Sequence, residues 1–214
     1  MNPTKTVSKD IKQQRTEEIL AALDRLLETN GFDRMSLSMI ATEAGCTRSC
    51  LYKYFKTKED IFLAYISKLL SEWAHDMNSS CFARKECTAE QFAKTWTDVA
   101  LRNTKLLELL PALFCILEHN ASSKSIVAFK SALYDAMGSI FVKLSSVFPN
   151  ISSESLTEVL FMAVSAANGL YPMYKAGERY GDLLDRNKVP QVRIDFRAWY
   201  ENTVRILMSS AMES

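Results

Sequence analysis

Glycine and proline are scarce: six glycines and five prolines in 214 residues leave room for few turns, so long helices are expected. Net charge is almost absent, with 26 basic against 25 acidic side chains, so any cationic surface has to be local. Histidine is limited to two residues, and the five cysteines, Cys46, Cys50, Cys81, Cys87 and Cys115, form no CxxC pair. No metal site is therefore expected. The odd cysteine count points to reduced thiols, with Cys46, Cys50 and Cys115 as small core residues. Cys81 and Cys87, in or beside a polar loop with Arg84 and Lys85, are the candidate redox pair. The chain has no glycine-rich phosphate loop, no GxSxG elbow and no HExxH helix, so neither an enzyme nor a cofactor is expected. The longest apolar run, Leu106 to Leu117, is interrupted by Glu108 and Pro111 and falls short of the ~18 to 20 residues that span a bilayer, so no membrane span is expected. The first ten residues are polar, include Lys5 and Lys9, and lead into no signal-peptide core, so the expected location is the cytoplasm.

What the chain does have is concentrated between Ser36 and Lys58. Ser36 is an N-cap residue, and Leu37, Ile40 and Ala41 follow at the spacing of one buried helical face. Gly45 can take the positive φ that ends this helix, and Thr47 caps the next. From Thr47 to Phe55 the helical period puts Cys50, Leu51, Tyr54 and Phe55 on one side and Arg48, Ser49, Tyr52, Lys53 and Lys56 on the other. Between Thr47 and Lys58 there are four cations and no acid. A capped helix with Arg, Ser, Tyr and Lys on one face suits a DNA major groove and its phosphates; a solvated polar face is the alternative.

Taken with their flanks, these residues resemble the N-terminal domain of the tetracycline-repressor-type (TetR) transcriptional regulators. A first helix at Lys12 to Thr29, with Ile19, Leu20, Leu23, Leu26 and Leu27 as its apolar stripe, stops at Asn30-Gly31-Phe32. The family's IA-x-x-AG helix is matched by Ile40-Ala41 and Ala44-Gly45. Its recognition helix is matched by Thr47, Leu51-Tyr52 and Tyr54-Phe55, and Lys58-Glu59 opens its fourth helix. Ser38, Met39, Ser49, Cys50 and Lys53 depart from residues frequent in the family, so base preference cannot be carried over from a relative. By this resemblance and the face described, Arg48 and Ser49 are the expected base-edge readers. Thr47, Tyr52, Lys53 and Lys58 are the expected phosphate contacts, with Ser36 a cap and candidate phosphate donor.

The fold class implied is all-α: a tail at 1–11, a helix-turn-helix DNA-binding domain at 12–72 with its motif at about 36–55, and a helical regulatory and dimerisation domain at 73–214. The tail is read as a mobile terminus, or alternatively as an arm whose Lys5 or Lys9 meets phosphates. Helices are expected from Lys58 to Met77, then at 89–103 with a Thr88-x-x-Gln91 capping box, and at 105–120 with a kink or break at Pro111. Further helices are expected at 123–148, 154–174 and 194–209, with Gly177, Gly181 and Pro190 in the loop before the last. The resemblance implies a homodimer through about 154–174 and 194–209, and small residues from Ala163 to Gly169 suit close helix approach, although such residues are also common in monomer cores. Two recognition helices would then read a palindromic operator in double-stranded DNA. The resemblance also implies release of a repressor by a small hydrophobic effector. Trp96, Phe114, His119, Tyr134, Met137, Phe161 and Tyr171 are the candidate pocket lining within an aromatic and methionine-rich interior, although core packing accounts for such residues equally. The alternative function is an architectural or protein-controlled DNA-binding factor with no effector.

Overall fold

The structure, a computed structural model, describes residues 3–32, 34–80 and 87–213, with side chains described for 11–32, 34–80, 87–113 and 115–213. Every regular element among the described residues is helical. Helix α1 is Pro3–Asn30, α2 is Leu37–Glu43, α3 is Arg48–Leu51, α4 is Lys58–Ser80 and α5 is Ala89–Arg102. Helix α6 is Thr104–Ala112, followed by a π-helical turn at Leu113–Leu117 and a short α7 at Glu118–Asn120. Helices α8, Ser123–Val147, α9, Ser153–Arg186, and α10, Phe196–Glu213, complete the chain. They fall into two compact units, one holding the residues up to Ser67 with Ala112–Lys130, the other Lys68–Pro111 with Ser131–Ser214.

Helix α1 reaches back to Pro3 instead of starting at Lys12. Nothing between Thr4 and Asn30 breaks a helix, and Pro3 sits in the first turn, where its missing N–H costs nothing. The expected tail is therefore helical from Pro3 onward. At the other end Gly31 takes φ +69° and donates its N–H to the Leu27 carbonyl at 3.3 Å, the stop expected there. In the first unit Ile19, Leu20 and Leu23 of α1 are buried, as are Ile40 and Ala41 of α2, Leu51 of α3 and Phe62 of α4.

The second unit is organised around aromatic side chains. The Trp96 indole of α5 donates to the Tyr200 hydroxyl of α10 at 2.8 Å, with both residues buried. Trp73 and Phe92 pack against Trp96, and Phe196 stacks on Tyr200 with ring centroids 5.1 Å apart. Burial pushes the Tyr200 hydroxyl up, well above the ordinary tyrosine range, so it stays protonated and can hold this bond. The Thr88–Gln91 capping box of α5 is formed as expected, Thr88 Oγ1 accepting from the Gln91 N–H and Gln91 Oε1 from the Thr88 N–H, each at 3.3 Å.

The break expected at Pro111 is present, and two later elements differ from the sequence-based expectation. Pro111 lies inside the last turn of α6 and, lacking an N–H, removes a helical bond; the chain then widens into the π turn at Leu113. Helix α9 runs 34 residues to Arg186, through Pro172, Gly177 and Gly181. Interior glycines weaken a helix without ending it. The stop is instead built at Lys188, φ +58°, where Lys188 donates to Asp185 O at 3.0 Å and Val189 to Leu184 O at 3.0 Å, a Schellman pair closed by a lysine in place of glycine. Gln191 Nε2 clasps the same end, donating to Gly181 O at 3.1 Å and Asp185 Oδ1 at 2.6 Å. The last helix accordingly starts at Phe196 and continues to Glu213.

Helix α8 is, among the described helices, the one long and apolar enough by length and composition to cross a membrane. The expectation of no such segment rested on uninterrupted apolar runs, whereas α8 intersperses its apolar residues with Ser, Ala and Gly. Its Phe129, Ile140 and Leu144 are buried within the protein.

Candidate nucleic-acid interface

The geometry of the candidate interface starts from backbone hydrogen bonds that residue type dictates. Ser36 Oγ accepts the Met39 N–H at 3.3 Å and so caps α2, which buries Ile40 and Ala41. Helix α2 ends in a Schellman motif: Cys46 donates to Ala41 O at 2.9 Å and Gly45 to Thr42 O at 3.0 Å, with Gly45 at φ +61°. Arg25 Nε donates to Glu43 Oε1 at 2.6 Å, which ties the end of α2 to α1. Thr47 Oγ1 then accepts the Cys50 N–H at 3.2 Å and caps α3. Helical turns continue past Leu51, Tyr52 donating to Arg48 O and Phe55 to Leu51 O, each at 3.0 Å. Leu51 and Phe55 face inward.

Thr47, Arg48, Ser49, Tyr52 and Lys53 are all exposed, together with Lys56. The Arg48 guanidinium finds no carboxylate among the described residues; its Nη2 donates to the Tyr52 hydroxyl at 3.2 Å, and its Cζ lies 6.0 Å from the centre of the Tyr52 ring. Ser36 is exposed at the start of α2. Lys58 differs: it is half-buried, its Nζ donates to the Met35 carbonyl at 3.4 Å, and it sits 5.7 Å from the centre of the Phe32 ring.

Sequence reasoning missed the group that anchors this unit from behind. Asp60 is 2% exposed. Its Oδ2 accepts from the Lys56 and Thr57 N–H groups at 3.0 and 3.3 Å, and its Oδ1 accepts from the Ser122 N–H at 2.8 Å. Burial pushes this carboxyl up, but the accepted bonds from Ser122 and Lys56 outweigh burial and hold it below the ordinary carboxylate range. The half that was legible is local: Thr57 Oγ1 accepts the Asp60 N–H at 3.1 Å, so Thr57-x-x-Asp60 is a capping box at the start of α4. The partner 62 residues away carries no local signal.

The expected pocket residues differ in their surroundings. Trp96 and Tyr171 are buried in the aromatic cluster, Tyr171 against Phe196 at 5.0 Å. Tyr134 and Phe161 are 65% and 55% exposed, His119 is exposed, and Met137 is half-buried. The Phe114 side chain lies outside the described residues. An open groove of about 410 Å³ lies between α9 and α10, lined by Leu170, Ala198, Trp199, Asn202 and Thr203, none of them in the expected set.

Among the cysteines, Cys46 and Cys50 are half-buried and Cys115 is exposed, so the expected role as fully buried core residues does not hold. Cys81 lies outside the described residues and Cys87 is half-buried. Among the described residues no group of three or more His, Cys, Asp or Glu could hold a metal ion.

Helix α9 also presents a line of exposed side chains. Gly169, Met173, Ala176, Tyr180 and Leu183 follow one another at the alternating four-and-three spacing of a heptad seam, and all are exposed.

Comparison with known proteins gives a consistent result. Residues 19–65 match the family described as bacterial regulatory proteins, tetR family, and residues 67–210 match the tetracyclin repressor-like C-terminal domain. An uncharacterized HTH-type transcriptional regulator of Haemophilus influenzae is 26% identical over 109 residues, which cover 47% of this chain and 58% of that protein. The chain thus spans little more than half the length of that relative. A crystal structure of a TetR-family regulator from Mesorhizobium loti superposes with a TM-score of 0.59 at 16% identity, covering 94% of this chain and 96% of the other. The regulator FadR of Bacillus subtilis, solved with stearoyl-CoA, superposes with a TM-score of 0.55 at 13% identity over 90% and 97% of the two chains. At these identities the two structures share the fold with this chain.

Proposed function

The chain belongs to the tetR family of bacterial regulatory proteins, and from that premise we propose that it is a sequence-specific DNA-binding transcriptional regulator, a homodimeric repressor released by a small hydrophobic effector. The observation that carries the proposal is the α3 face, where Arg48, Ser49, Tyr52 and Lys53 are exposed together on a helix capped at Thr47 and preceded by the Gly45 turn. Arg48 and Ser49 meet base edges; Thr47, Tyr52 and Lys53 meet phosphates and set the register. Lys58, held at the Met35 carbonyl, adds a weaker phosphate contact, and Ser36 another from the start of α2. In this proposal residues 12–72 bind DNA, and 73–214 form the regulatory and dimerisation domain.

One recognition helix covers only a few base pairs, so two copies on a palindrome supply the affinity a regulator needs. The exposed seam of α9 with α10 beside it is the self-association surface proposed. The protein acts in the cytoplasm, where DNA is reached directly. Release by an effector requires differential affinity: a ligand that favours the conformer with misplaced recognition helices lowers operator affinity by about 5- to 150-fold, a coupling of ~1 to 3 kcal/mol.

The test is a screen of fatty acids, acyl-CoAs and other small hydrophobic compounds, reading both melting temperature and retention of the selected operator duplex. A compound that raises the melting temperature and releases the duplex supports the repressor. Compounds that bind and leave operator affinity unchanged contradict release by an effector, and favour a factor whose bundle serves assembly alone.

A further inference from the structure

We propose that Tyr52 is a positioning residue for Arg48, and that the two side chains act as one base-reading unit in which the tyrosine hydroxyl aims the guanidinium. This rests on the reading above, that the α3 face meets base edges, and changes the role of Tyr52 within it. The geometry is specific. Arg48 and Tyr52 lie one helical turn apart on the exposed side of α3, and Arg48 Nη2 donates to the Tyr52 hydroxyl at 3.2 Å. The Arg48 Cζ lies 6.0 Å from the centre of the tyrosine ring. No carboxylate among the described residues pairs with Arg48, so no stronger partner competes for its donors. Leu51 and Phe55, both buried, fix the turn that carries the tyrosine.

An exposed arginine loses much rotamer freedom when it docks on a base edge. A side chain already held in one arrangement by a neighbour has less left to lose, which favours the docked state. Arginine has five N–H donors in a planar fork; giving one to Tyr52 leaves four, enough for the two-point contact it makes on a base edge. Tyr52 is 47% exposed, and its hydroxyl is available to the arginine.

A double-mutant cycle tests this. The wild type, Tyr52→Phe, Arg48→Ala and the double variant are titrated with the duplex enriched from a random library on the wild type and with a scrambled duplex, at two salt concentrations. Tyr52→Phe keeps the ring and removes the hydroxyl. It should lower the ratio of operator to scrambled affinity by about two- to fivefold, the scale of one exposed hydrogen bond, with melting temperature and salt slope unchanged. In the Arg48→Ala background the same change should lower the ratio no further. A loss equal on both duplexes, or one that persists without Arg48, would overturn positioning and make the tyrosine a phosphate contact. If the wild type enriches no sequence, base reading itself fails and the inference fails with it.

Discussion

The buried Asp60 carboxylate accepts the Ser122 backbone N–H at 2.8 Å and, through its other oxygen, the N–H groups of Lys56 and Thr57. One side chain thus closes the turn that follows the recognition helix and holds the residue that caps α8, since Ser122 Oγ accepts the Ser125 N–H at 3.4 Å.

Replacing Asp60 with alanine leaves three part-buried N–H groups without their acceptor, so the protein should lose about 2 to 4 kcal/mol in urea unfolding followed by circular dichroism. The pH dependence has a definite sign. The folded-state pKa is depressed, so the stabilisation is fully present above the unfolded carboxyl value of about 4 and is lost as pH falls through the lower folded value. Asp60→Asn should therefore flatten the fall in stability below about pH 4 relative to wild type.

Tyr200→Phe should cost about 1 to 3 kcal/mol, because the Trp96 indole N–H is then buried without an acceptor. Trp96→Phe in the same background should add less than it does alone, a coupling visible in urea midpoints. Strict additivity would mean that the pair is not coupled.

Lys53 and Lys58 should separate in salt titrations. Lys53→Ala, at an exposed cation, should reduce the slope of log affinity against log salt by about one on operator and scrambled DNA alike. Lys58→Ala should change the slope less, because its ammonium is already engaged by the Met35 carbonyl. Arg48→Ala should instead collapse the discrimination between the two duplexes.

Two charged side chains in the α9 seam should split a dimer. Met173→Glu with Leu183→Glu, both at exposed positions, should leave melting of the monomer near wild type and shift sedimentation to a single-chain species. Operator affinity should fall with it. Unchanged sedimentation of a wild-type dimer would place self-association elsewhere.

Local chemistry was legible in the sequence. The caps at Ser36 and Thr47, the Thr88–Gln91 box and the positive φ of Gly31 and Gly45 each depend on a few adjacent residues, and each is formed. Helix ends set by a clasp were not: the end of α9 depends on Gln191 reaching back to Gly181 and Asp185, so Gly177 and Gly181 read as breakers when they are helical. The helical period gives the face a side chain occupies and not what covers it, which is why Tyr134 and Phe161 read as pocket lining and stand on the surface. Contacts across long separations, such as Asp60 with Ser122 and Trp96 with Tyr200, leave no periodic trace.

The measurement that tests the account most directly is selection of random duplex DNA on the purified protein, with the winner and a scrambled control titrated across salt concentration. A palindromic winner bound ~10³-fold or more above the control is the result predicted for a dimer that reads bases through Arg48 and Ser49. Failure to enrich any sequence, with binding set by salt alone, would contradict it and leave the α3 face as a holder of backbone phosphates.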